Sequence, residues 1–190
     1  MESWQIAIIV GAVLVVVAVG WIWIRGQRTQ KLTDQFGPEY QRTLEATGDQ
    51  RAAEKELAAR QERVKTFELR ALSTAEGDHY ANAWKETQAH FVDDPSGAIA
   101  QADALVQEVM KARGYPMVDF EQRAADISVD HPQVLDEYRA AHKIAVRHAT
   151  GGGVETEDLR QAMVHYRALF DDLLETDSAA PEQEPPAATG

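Results

Sequence analysis

Apolar positions are unevenly spread along the chain. From Trp4 to Ile24 twenty-one residues pass without a charge, and as a helix rising about 1.5 Å per residue such a run covers the roughly 30 Å hydrocarbon core of a bilayer. Residues 4–24 are therefore predicted to be one transmembrane helix. Trp4 at one end and Trp21 and Trp23 at the other occupy the depth at which indole rings settle among lipid headgroups. A cleaved signal peptide is the competing reading, suggested by Ala18-Val19-Gly20. It is disfavoured because the leading Met-Glu-Ser has no basic residue and the apolar run continues beyond that point. Ala7, Gly11 and Ala18 share one helical face, a small-residue pattern that would let two spans approach closely.

Beyond the span the apolar residues become periodic and punctuated. Residues 25–36 read as a basic juxtamembrane linker, and 37–72 as a short helix opened by Gly37-Pro38 followed by a charged surface or stalk helix. Leu57, Val64 and Ala71 fall seven apart, which allows a short coiled-coil seam, although too few heptads follow to sustain one. The stretch 66–72 predicts a short extended connector. Ser73 and Glu76 then form a capping-box signature before a helix carrying Tyr80, Trp84 and Phe91 on one face. Asp94-Pro95 opens a helix with Ile99, Ala102, Leu105, Val106, Val109 and Met110 on its stripe, closed at Gly114. Asp119 opens a short helix through Ile127. His131-Pro132 opens one bearing Leu135, Tyr138, His142 and Ala145, closed by three glycines, and Thr156 opens the last, with Leu159, Met163, Tyr166, Phe170, Leu173 and Leu174 inward.

The predicted fold is all-α. An N-terminal transmembrane helix leads to a helical bundle over 73–175, with main helices at 74–92, 95–113, 132–149 and 156–175 and the 119–127 helix as a strut. From 176 to 190 acid, Pro and Ala replace packing residues, the composition of a disordered tail.

Charge adds topology and partner logic. Arg25, Arg28 and Lys31 follow the span while nothing basic precedes it, so the N-terminus is expected outside a bacterial inner membrane, with residues 34–190 in the cytoplasm. Of the net charge of −12, −11 lies in residues 34–175, and this acidic body disfavours nucleic acid as a partner. The expected partners are the lipid bilayer, through residues 4–24, and a protein or a second copy of the chain. Cysteine is absent, which removes disulfides and thiol catalysis.

Candidate chemistry is sparse. Of six histidines, only His79 lies in a Glu-x-x-His spacing, and a dinuclear bundle site needs two such motifs; no metal, cofactor or catalytic residue is assigned. Gly151-Gly152-Gly153 lacks the Lys-Ser/Thr of a phosphate loop and leads into acidic residues. His142, one turn after Tyr138 on the apolar stripe, is the candidate pH or ligand sensor, with His165 and Tyr166 as further candidates. His131 is expected to shape a helix start and Asp130 to accept backbone N–H groups. Tyr80, Trp84, Phe91 and Tyr115 are the places where aromatic surface would be exposed, if any is.

The stretches "HYANAWKETQAHFVDDP", "ADALVQEVMKARGYPMVDFEQRAADISVDHP" and "TEDLRQAMVHYRALFDDLL" resemble a family of uncharacterised bacterial single-span proteins, some labelled membrane and some secreted. The resemblance implies a bacterial membrane protein and supplies no activity. Two functions are therefore expected from the residues: a membrane-anchored interaction or scaffold module of the cell envelope, or a small-ligand or pH sensor with its site between bundle helices.

Overall fold

The computed structural model describes residues 23, 26–27 and 29–175. Most of the 4–24 segment lies outside them, as do Trp4, Trp21, Arg25, Arg28, the Ala7, Gly11, Ala18 face and the 176–190 tail. Trp23 and Lys31 are helical and exposed. Among the described residues no helix is long and apolar enough to cross a membrane, and none forms a strand.

The chain divides into two compact units, up to Ala59 and from Arg60 onward. In the first, residues 29–36 are helical, and Leu32 and Phe36 in this stretch are buried. Gly37 takes a positive φ of 49° that a side chain would resist, and Pro38 starts α1 (Pro38–Thr47). Helix α2 (Gln50–Val64) follows after Gly48. Glu54 gathers this unit: its Oε1 accepts from Thr29 at 2.6 Å, from Gln50 at 2.8 Å and from Tyr40 at 3.4 Å. Ala53 and Leu57 are the buried edge of a helix whose other residues in this unit are mostly exposed. The seven-residue seam stops at Val64, because Ala71 falls in the irregular connector and is exposed.

The second unit is a bundle of α3 (Thr74–His90), α4 (Pro95–Ala112), α5 (Phe120–Ile127), α6 (Leu135–Ala149) and α7 (Thr156–Glu175). A 3-10 turn, Pro132–Val134, precedes α6. Helix starts follow the caps in the sequence. Ser73 Oγ accepts from the Glu76 N–H while the Glu76 carboxylate accepts from the Ser73 N–H, and Asp94 and Asp119 accept from Gly97 and Gln122. Arg70 binds both oxygens of Glu76, at 3.0 and 2.6 Å, and this pairing above all holds its carboxyl well below the usual range.

Helix ends are equally specific. At Gly114, φ is 97°, the Tyr115 N–H reaches Met110 O and the Gly114 N–H reaches Lys111 O, both at 3.0 Å, a Schellman closure. The same pairing recurs at Gly151 and Gly152, which donate to His148 and Arg147 at 3.0 and 2.9 Å.

Helix α4 packs against α3 and α7, α7 against α6, and α5 against α6. Seven α4 side chains are buried, from Ala98 to Met110, and seven of α7 from Leu159 to Leu173. Trp84 of α3 stacks on Phe170 of α7 at 4.6 Å, joining the outer hairpins through one aromatic pair. Trp84 and Tyr115 are buried in this core, and Tyr80 and Phe91 are half-buried against it.

Candidate functional site

Helix α4 carries chemistry on two sides. Toward α3 lies an open cleft of about 490 Å3, floored by Ala83, Thr87, Ala104 and Leu105 and bordered by Glu86, Glu108, His90 and Gln101. Ala104 and Glu108, like Ala83 and Thr87, lie one turn apart and so share a face of their own helix. His90 Nδ1 meets Gln101 Oε1 at 3.1 Å across the cleft. Glu86 and Glu108, from facing helices, hold no hydrogen bond or ion pair among the described residues, so both carboxylates retain their full capacity to accept.

Toward α6 lies a smaller groove of about 290 Å3, with Ile99, Ala100, Ala145, Val146 and Ala149 as its apolar walls. His148 Nε2 meets Ser96 Oγ at 2.9 Å at one end. His142 and Asp103 line the groove as well. The Asp103 carboxylate accepts from Tyr166 at 2.9 Å and from Gln107 at 2.7 Å.

His142 and Tyr138, the candidate sensor residues, each meet a different partner. His142 is half-buried, and its ring lies on Phe120 at 3.6 Å and 7° between planes. Tyr138 is fully buried and its hydroxyl oxygen accepts from Arg123 Nε at 3.3 Å. The α-helical offset of four places both residues on one side of α6, but Phe120 of α5 takes the imidazole face. Burial lowers the His142 pKa; Asp103 and Glu121 oppose that shift and Arg123 adds to it. Tyr138 and Tyr166 are both pushed above the ordinary phenol value, chiefly by burial, so neither phenol is a base at neutral pH.

Compared with known proteins, the chain matches no family model, no curated sequence and no solved structure.

A third polar group lies where α4, α5 and α7 end. His131 is buried and its Nδ1 bonds Asp172, which also accepts from Gln133 at 2.9 Å, while His131 Nε2 is buried without a partner. His131 does precede the helical turn Pro132–Val134, as expected, but its side chain and that of Asp130 are used differently. The His131 side chain makes no cap, and Asp130 accepts from the Tyr115 hydroxyl at 3.0 Å. The reason is tertiary: the Asp172 and Tyr115 side chains reach these two residues from α7 and from the end of α4, about forty and fifteen positions away in the chain. His165 likewise bonds Glu137 across α6 and α7, a link that ties two helices together. These imidazole–carboxylate contacts join elements distant in the chain, α7 to the turn before α6 and α7 to α6.

The triple glycine is committed to capping. The Gly151 and Gly152 N–H groups already serve carbonyls of α6, which leaves them no capacity to cradle a phosphate.

Proposed function

We propose that this protein is a membrane-tethered interaction module whose α3–α4 cleft receives a basic, amphipathic segment of a protein partner. Residues 4–24 would be the tether, and Arg25, Arg28 and Lys31 would keep the bundle on the cytoplasmic side. The resemblance to bacterial single-span proteins supports an inner-membrane location.

The observation that carries the reading is the pair Glu86 and Glu108, two carboxylates without partners on facing helices over an apolar floor. A lysine or arginine stem would cover Ala104 and Leu105 while its head group reached the acidic border. In a chain of net charge −12, the long-range field would also steer a basic partner toward it.

Two measurements test this. A photoreactive amino acid at Ala104, which is exposed, should crosslink a protein in cells, and the E86Q/E108Q double variant should abolish the crosslink. Retention of that crosslink in the double variant, or no crosslinked protein at all, would overturn the cleft as the docking site. For topology, the chain has no cysteine, so Val92→Cys, at a position 83% exposed, gives one reporter thiol. It should resist a membrane-impermeant maleimide in intact spheroplasts and react after lysis; reaction in intact spheroplasts would place the bundle outside.

A further inference from the structure

We propose that the α4–α6 groove, on the other side of α4 from the acidic cleft, is a binding site for a small organic ammonium with a short hydrocarbon body. The proposal is independent of the protein-docking reading.

The groove has the ingredients of a small-ligand site: apolar walls with a few polar groups that converge. Ser96 and Asp103 are seven residues apart on α4, about 10 Å along the helix, and the Ser96–His148 contact closes one end. At the other end stands Asp103, the single carboxylate among the lining residues. Its two hydrogen bonds, from Tyr166 and Gln107, fix its orientation and leave lone pairs for a further donor, since a carboxylate offers about four acceptor positions. The bonds come from neutral donors, so the negative charge is not cancelled within the contact.

Arg123 acts electrostatically on His142 of the lining, but its donors are committed elsewhere. Arg123 of α5 is turned to Tyr138 and to the Val118 carbonyl. Burial disfavours the charged form of His142. Beside the Asp103 carboxylate a cation is therefore favoured over a carboxylate. The volume of about 290 Å3 is at the small end of ligand pockets, which selects a body of a few carbons. A free amine and a lysine side chain share this chemistry, and the closed Ser96 end together with the small volume favours the free molecule.

The test is an NMR titration of the full-length chain labelled with 13C at Ala, Ile and Val methyls. The probe is n-butylammonium, with n-butanol, butyrate and a lysine-containing tetrapeptide as comparisons. The methyls of Ile99, Ala100, Ala145 and Val146 should shift and saturate with butylammonium at about tenfold lower concentration than with butanol, with no response to butyrate. Asp103→Asn should raise the butylammonium concentration needed by about tenfold. Ala100→Leu, at an exposed position, should block all shifts while leaving the fold intact, which keeps the test valid if the Asp103 variant unfolds. No saturable shift, equal binding of butanol, or an unaltered Ala100→Leu titration would overturn the site. Tighter binding of the tetrapeptide than of butylammonium would overturn the assignment to a free small molecule.

Discussion

The imidazole of His142 lies flat against the ring of Phe120, with centroids 3.6 Å apart and planes 7° apart. Because burial lowers its pKa, the unfolded chain takes up this proton at a higher pH than the folded chain does. Stability therefore rises with pH across that interval and is lost as pH falls through the ordinary histidine value. His142→Phe keeps an aromatic ring and removes the proton. Urea unfolding at pH 7.5 and 5.5 should show that the variant gains stability relative to the parent on acidification; parallel changes would mean that this histidine does not contribute.

Gly114 stands against the connector that precedes α3. A Cβ at this position would fall 2.4 Å from the Glu68 carbonyl oxygen, and its φ of 97° lies outside the range side chains favour. Both obstacles are backbone, so no rotamer change relieves them. The Arg70 N–H also donates to Arg113 O at 2.9 Å beside it. Gly114→Ala should destabilise the bundle by about 2 kcal/mol or more, measured by urea unfolding, and should speed hydrogen exchange at Arg70.

Trp84 joins α3 to α7 through Phe170 and is 1% exposed. Its removal leaves a cavity between helices that are already held apart by other side chains. Trp84→Ala should cost about 3–5 kcal/mol, read by the same unfolding experiment. A loss below about 1 kcal/mol would show that the site collapses freely.

Asp126 is a buried carboxylate served by Arg63 at 2.8 Å and by Gln122 at 2.8 Å. Replacing Arg63 with Met keeps the stem and withdraws the charge. Since Gln122 remains as a donor and the Arg63 side chain is 41% exposed, the expected loss is about 1–3 kcal/mol, toward the range for one unsatisfied buried group. A double-mutant cycle with Asp126→Asn should recover part of it.

Much of the bundle was legible locally. Ser73 with Glu76, Asp94 with Pro95, and Asp119 with Gln122 announce helix starts because the cap and its partner lie within one turn. Gly114 and Gly151 announce ends because a left-handed residue is needed there. The inward residues of α4 and α7 follow from period 3.6 alone. What meets His142 was not legible, because a helical face gives direction and not the identity of the neighbour. Phe120 supplies that neighbour from a separate helix. His131 was placed correctly at the head of a helical turn, yet its partner Asp172 lies in another helix with no local mark in the sequence.

The order of apolar and capping residues by itself determined that the chain makes helices, where most of them begin and end, and which side of each is buried, since these depend on interactions within a few residues. It also determined the acidic character of the body and the uncharged run at 4–24. Tertiary structure alone decided that α4 would be bordered by a cleft toward α3 and a groove toward α6. It also decided that Glu86 and Glu108 would border one cleft without a hydrogen bond among the described residues, and that Asp103 would be held by Tyr166. Such contacts join residues tens of positions apart, and their geometry depends on how whole helices pack, which no local periodicity encodes.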